Sequence, residues 1–176
     1  MESIQILEGD AYIREPERKT RVVANVDILV CGGGFAGFAA AYSAARMGLK
    51  VLLIEKYGFL GGLVTSSLVI TTPPLDNGIN LEIVEQLKAR KVYVPSKDMG
   101  PDFEVVDMEI FAVDPEVVKY SFVNMLLDKK VELLLHTYVV ESIMEENRIR
   151  GVIVETKSGR MAVMAKVVVD TTGDAD

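Results

Sequence analysis

Glycines at positions 32, 34 and 37, an acid at position 55 and a glycine pair at 61 and 62 are the residues whose types and spacing could do chemistry. Gly32, Gly34 and Gly37 follow the apolar run Val26-Asp27-Ile28-Leu29-Val30-Cys31 in the spacing G-x-G-x-x-G. In that spacing the first glycine permits a tight turn out of a strand and the second lets the backbone approach a pyrophosphate. The third lets the following helix pack closely on a sheet. The start of such a helix presents unpaired N–H groups and a partial charge of roughly +0.5, which together attract an anion. The chemistry in view is the binding of a dinucleotide through its phosphates. The plainer alternative is a buried βαβ unit whose glycines only turn the chain and whose Glu55 is an exposed charge at a strand end.

The surrounding elements favour the nucleotide. Phe38 to Met47 is rich in alanine, a strong helix former small enough to lie against a sheet, and Gly48 ends it. A second apolar strand, Val51-Leu52-Leu53-Ile54, closes on Glu55, which lies about 20 residues beyond the glycines, where an acid binds a ribose hydroxyl. Strand, glycines, helix, strand and acid stand in order. A carboxylate at this point repels a 2′-phosphate, so a phosphorylated adenosine ribose is disfavoured.

Residues 1–24 read as an N-terminal arm with turn-prone Gly9-Asp10 and Glu15-Pro16, and residues 25–176 as a single domain. Between 57 and 110 the pattern is irregular, with Gly58, Pro73-Pro74, a helical stretch near Ile79 to Arg90, Pro95, Gly100 and Pro101, and reads as an excursion out of the core. Asp114-Pro115-Glu116 is a sharp helix start, with a capping acid, proline in the first helical position and a further acid in the first turn. That helix is expected to run to about Asp128 and to lead into a parallel strand over Val131 to Leu135. Short segments near Tyr138–Met144, Arg148–Thr156 and Arg160–Met164, separated by turn residues, predict an antiparallel meander. A last strand, Lys166 to Asp170, then runs into Thr171-Thr172-Gly173-Asp174. The fold class expected is α/β: a Rossmann-like parallel sheet with flanking helices and an antiparallel β-meander.

Composition narrows the function further. With 176 residues, 49% hydrophobic and 26% charged, the chain is long enough for one core of ordinary globular make-up. A net charge of -7 leaves no basic footprint for nucleic acid or an anionic membrane. The uncharged stretches Ile28 to Ala45 and Tyr57 to Leu75 are broken by glycines, prolines and hydroxyl residues, so neither is the continuous apolar run of about 20 residues that a bilayer needs. The N-terminus lacks the apolar centre of a secretory signal, which makes a cytoplasmic location the default. Cys31 is the only cysteine and His136 the only histidine. A disulfide, a C-x-x-C redox pair, a zinc site and a Cys-His dyad therefore lack support, and no metal is expected. Cys31 reads as a small core residue and His136 as a strand-end residue. Asp107 and Glu109, in the excursion, earn no acid or base role, and the catalytic residues stay unassigned.

Taken together, the Cys31 to Gly37 loop, Glu55-Lys56-Tyr57-Gly58-Phe59-Leu60-Gly61-Gly62, Asp114-Pro115-Glu116, Gly151-Val152 and Asp170-Thr171-Thr172-Gly173-Asp174 carry a resemblance. From about Tyr12 to its end, the chain resembles the FAD-dependent oxidoreductases with the two-dinucleotide-fold architecture of fumarate-reductase-like and heterodisulfide-reductase-like flavoproteins. The resemblance implies FAD as cofactor, with Gly32, Gly34, Phe35, Ala36 and Gly37 at its pyrophosphate and Glu55 with Lys56 at the adenosine ribose. Gly61, Gly62, Val64, Thr65 and Ser66 would approach the pyrophosphate, ribityl chain and flavin. Val139 would meet the adenine through its backbone, and Thr172, Gly173 and Asp174 would form a second nucleotide-side motif.

Members of that family continue into a substrate domain, which is not expected within these 176 residues, so the resemblance also implies a second chain or a remaining C-terminal part that completes the site. The function implied is flavin-mediated hydride or electron transfer to an unknown small-molecule substrate. A nucleotide-binding subunit without turnover of its own stays open as an alternative. So does an NAD-dependent dehydrogenase, which the Tyr57 to Gly62 loop and the meander suit less well.

Overall fold

The computed structural model describes residues 5–6, 13–15, 17–72, 75, 78–95 and 111–175. Gly9, Asp10, Pro16, Pro73, Pro74, Gly100, Pro101, Asp107, Glu109 and Asp176 lie outside the described residues. A short antiparallel ladder of β1 (Gln5–Ile6) and β2 (Ile13–Arg14) precedes β3 (Arg21–Cys31), α1 (Phe35–Arg46) and β4 (Val51–Ile54). Then come α2 (Leu63–Ser66), β5 (Thr71–Thr72), α3 (Ile79–Ala89), β6 (Tyr93–Pro95) and β7 (Phe111–Val113). The chain continues through α4 (Pro115–Asp128), β8 (Glu132–Leu134), β9 (Tyr138–Glu145), β10 (Arg148–Thr156) and β11 (Gly159–Asp170).

Among the described residues the main sheet runs β8-β4-β3-β11-β10-β9, parallel from β8 to β11 and antiparallel through β10 and β9. β4 is apolar and buried at every position, and β3 is apolar over Ile28–Cys31, as befits central strands covered on both faces. Alternate residues serve opposite sides: Val30, Val51 and Leu53 join Phe38, Phe122 and Leu126 of α1 and α4 in one core. Leu29, Cys31, Leu52 and Ile54 join Val152, Val154, Val163 and Ala165 of the meander in a second. Phe122 and Phe38 are fully buried and stacked at 4.0 Å between centroids, which locks α1 to α4; each such ring contributes about 1.5–3 kcal/mol through burial.

The expected alternation of β and α is present, with three differences of detail. The expected segments Arg160–Met164 and Lys166–Asp170 are one strand, β11, because Ala165 between them carries no turn chemistry and packs in the second core. β11 pairs antiparallel with β10 over Gly159–Met164 and parallel with β3 over Met161–Asp170, so it joins the meander to the parallel sheet. Its length also gives Arg21 and Val22 pairing partners in Met161 and Ala162, so β3 begins inside the stretch read as an arm. The excursion, for its part, supplies β5 and β6, which flank β7 just beyond it in a small antiparallel sheet ordered β5-β7-β6.

α1 ends at Met47 and Gly48, and Gly48, at φ +80, adopts the left-handed turn that closes it. α4 starts as its sequence predicts: the Glu116 and Val117 amides donate to the Asp114 carboxylate at 2.8 and 3.2 Å. Asp114→Ala removes this cap and is expected to lower stability by about 1 kcal/mol, measurable as a shift in urea midpoint at unchanged slope.

Candidate functional site

Leu134, Ile54, Cys31 and Asp170 end their parallel strands in one hydrogen-bonded row. Every segment singled out for chemistry around the glycine loop leaves the sheet just beyond that row. The chain passes from β3 to β4 and β8 on one side, while β11 lies on the other. The crevice beyond β3 and β11 is thus a point where strand order reverses, the place where doubly wound sheets bind ligands.

The glycine loop is fixed from two sides. From the β11 side, Thr171 N donates to Cys31 O at 2.8 Å, and its hydroxyl lies 2.8 Å from Cys31 O and 2.9 Å from Gly32 O. From the β4 side, the Glu55 carboxylate accepts from Gly33 N at 2.6 Å through Oε2 and from Tyr57 N at 2.9 Å through Oε1. Gly33 O in turn accepts from Gly61 N at 2.8 Å, which brings the second glycine pair against the first.

The glycines differ in what requires them. A Cβ on Gly37 would stand 1.9 Å from Gly32 O, and Gly32 itself sits at φ +106 with Thr171 O where a side chain would go. Packing and backbone geometry demand glycine at both. Gly34 is at φ -70, and a Cβ there would meet, among the described residues, nothing nearer than Gly62 Cα at 3.8 Å. Neither strain nor packing explains a glycine at position 34. It is the N-cap residue of α1, whose first turn carries no acid and receives no side-chain cap among the described residues, in contrast to α4. The gap bordered by Gly34, Gly62 and the first turn of α1, containing Phe35, Ala36 and Gly37, is therefore an open anion cradle that a side chain would fill. These residues fit a pyrophosphate.

Beside the cradle lies a cavity of about 240 Å³ lined by Gly32, Glu55, Lys56, Val139, Thr172 and Asp174. Gly173, at φ +107, makes the turn between the last two. The structure thus gathers the expected adenosine-side residues around one space. Expected residues on α2 divide differently. Val64 packs in the first core, and the Thr65 hydroxyl is turned to Leu60 O and Gly62 O, so both side chains face inward. Ser66 is exposed, with its hydroxyl donating to Gly62 O at 2.8 Å. Lys56 is exposed, with Nζ 5.4 Å from the centre of the Tyr57 ring. Tyr57 stacks on Phe59, and Lys119 of α4 lies 4.2 Å over Phe59, which ties the 56–60 loop to that helix.

Sequence reasoning missed Thr171, Gly33, Thr137 and Tyr138. Thr137 and Tyr138 line the same cavity, and Thr137 N donates to Glu55 O at 3.0 Å. The register supplies the signal for Thr171: with Asp170 paired to Cys31, the next residue must abut Gly32. Burial, reinforced by nearby Asp170, pushes the Cys31 thiol up to about 12, so it stays protonated and acts as the core residue it was read to be. His136 follows β8 at φ +52 and donates its amide to Tyr57 O. No cluster of three or more His, Cys, Asp or Glu able to hold a metal occurs among the described residues.

A parallel sheet whose reversal point carries an uncapped helix start, an open glycine cradle and an acid-bordered cavity defines a dinucleotide-binding protein of the doubly wound α/β class. The model of the FAD dependent oxidoreductase family matches residues 27–176, and the chain belongs to that family, with FAD as its cofactor. It is 29% identical over 157 residues to the digeranylgeranylglycerophospholipid reductase of Sulfolobus acidocaldarius, covering 84% of this chain and 34% of that protein. To the thiamine thiazole synthase of Methanococcus vannielii it is 27% identical over 161 residues, covering 84% of this chain and 56% of the relative. The chain thus spans about a third to just over half the length of these two relatives. Among solved structures, p-nitrophenol 4-monooxygenase from Pseudomonas putida superposes with a TM-score of 0.66 at 16% identity, over 88% of this chain and 42% of its own. A geranylgeranyl bacteriochlorophyll reductase-like protein from Thermoplasma acidophilum superposes at 0.63 and 20% identity, over 85% and 40% respectively. These two share the fold. No helix among the described residues is long and apolar enough to cross a membrane.

Proposed function

We propose that this chain is the FAD-binding portion of a flavoprotein oxidoreductase that transfers hydride or electrons to a small-molecule substrate. Gly34, Phe35, Ala36 and Gly37 hold the pyrophosphate with Gly62 opposite, and Gly32 shapes the loop. Glu55 and Lys56 meet the adenosine ribose, and the Val139 backbone meets the adenine. Thr172, Gly173 and Asp174 close the nucleotide side, with Gly61 and Ser66 toward the flavin. FAD, when bound, supplies the redox chemistry; this chain binds it, orients it and fixes the charge around it. The observation that carries the reading is Gly34, a glycine that nothing among the described residues requires, at an uncapped helix start.

Leu63, Leu68, Val69 and Ile70, exposed and next in sequence to the second glycine pair, support a further protein segment, from this or a second chain, covering the flavin side and supplying the substrate site. A cytoplasmic location belongs to the same reading and is supported by a lone buried thiol that makes no disulfide. The test is direct. Purified protein, or its supernatant after denaturation, carries flavin absorbance, and FAD at a hundred times its Kd stabilises the folded chain by about 2.7 kcal/mol. Absence of flavin together with an unmoved melting temperature sinks the proposal.

A further inference from the structure

We propose that Glu55 is a positioning residue for both walls of the phosphate cradle, separately from any contact it makes with a ribose; this rests on the FAD reading above. Glu55 as a whole is 7% exposed and its main chain is pinned on both sides: Glu55 N donates to Leu134 O at 3.0 Å, and Glu55 O accepts from Thr137 N at 3.0 Å. From that fixed base one oxygen takes Gly33 N and the other takes Tyr57 N. Gly33 is the residue before the open Gly34 and also receives Gly61 N on its carbonyl, while Gly61 precedes Gly62, the opposite wall. A single carboxylate therefore reaches Gly34 through Gly33, and Gly62 through Gly33 and Gly61. Through Tyr57 it also holds the start of the loop that runs to them.

The residue type follows from the geometry. Both neighbours present N–H donors, so the side chain between them must accept twice in opposite directions, which an ionised carboxylate does with lone pairs to spare for a ribose hydroxyl. A glutamine accepts once and turns its own NH₂ toward the second amide. Glu55→Gln therefore releases one anchor while keeping size and shape.

Titrations of the full chain with FAD, and with the FAD analogue lacking the adenosine 2′-hydroxyl, separate the roles. Glu55→Gln is expected to raise the Kd for the deoxy analogue about tenfold or more, as one hydrogen bond to a charged acceptor is lost, and the Kd for FAD by at least that factor. A variant that loses affinity for FAD but binds the deoxy analogue as wild type does would overturn the proposal, because Glu55 would then act only through the ribose. Amide exchange on the ligand-free wild-type chain gives a second reading that needs no variant to fold. The Gly33 and Tyr57 amides are expected to exchange at least tenfold slower than unstructured peptide, and fast exchange at both overturns the role. If wild type binds neither ligand, the FAD reading fails, and the exchange rates still decide the role of Glu55.

Discussion

Gly37→Ala is expected to cost about 3 kcal/mol of stability and to weaken FAD binding ten- to a hundredfold in the same protein. The added Cβ falls 1.9 Å from Gly32 O and 2.7 Å from Thr171 Oγ1. The first of these is backbone, so no rotamer change relieves the contact, and α1 must move away from the loop. Such overpacking costs typically 1–3 kcal/mol, and the upper end applies because the displaced helix is also locked to α4 through the Phe38 and Phe122 stack. For a chain of this size that is a fall in melting temperature of roughly 6–12 °C. Binding suffers because the amides at the start of α1 leave the position they share with Gly34, and one hydrogen bond to a charged group is worth about 1.5–3 kcal/mol. Thermal unfolding and FAD titration of the same preparation check both. A variant as stable as wild type would mean that α1 does not sit where the register of β3 and β11 puts it.

That a substitution in the glycine loop reaches the whole sheet explains what could be read in advance. Strand, loop, helix, strand and acid are local signals, each with its own period or backbone requirement, and β3, α1, β4 and α4 fall where those signals set them. The proline and acid pattern at 114–116 fixed a helix start to the residue. β5, β6 and β7 escaped notice because strands of two or three residues are too short to show alternation, and their pairing joins Thr72 to Phe111 across 39 positions. β11 was divided because a strand that changes partners halfway along carries no mark of it in its own residues.

The site divided along the same line. Gly32, Gly34, Gly37 and Glu55 are legible because spacing alone implies their roles. Thr171 is not, since its role exists only once β11 lies beside β3, with about 140 residues of intervening chain folded between them. Val64 and Thr65 turn their side chains into the protein, which their place in the sequence does not show. A four-residue helix behind Gly62 must bury one flank, and these two residues are that flank.

Gly34→Ala is the counterpart of Gly37→Ala and has the sharper outcome: a folded protein that no longer binds its cofactor well. The new Cβ would lie 3.8 Å from Gly62 Cα, an ordinary van der Waals distance, and φ -70 suits any residue. At an N-cap, alanine is poorer than glycine by a few tenths to about 1 kcal/mol, while the stiffer unfolded chain returns about 0.4–1 kcal/mol. The two nearly cancel, so the ligand-free variant should unfold within about 1 kcal/mol of wild type. With FAD present the methyl group occupies the space next to the α1 amides that a phosphate oxygen needs, and the pyrophosphate must withdraw from at least one charge-assisted hydrogen bond. The expected rise in Kd is about a hundredfold, or 2.7 kcal/mol. Because stability and binding move together in Gly37→Ala and apart in Gly34→Ala, the pair distinguishes a glycine the fold requires from one the ligand requires. A Gly34→Ala chain that bound FAD as tightly as wild type would show that the open space beside Gly62 is not the pyrophosphate site.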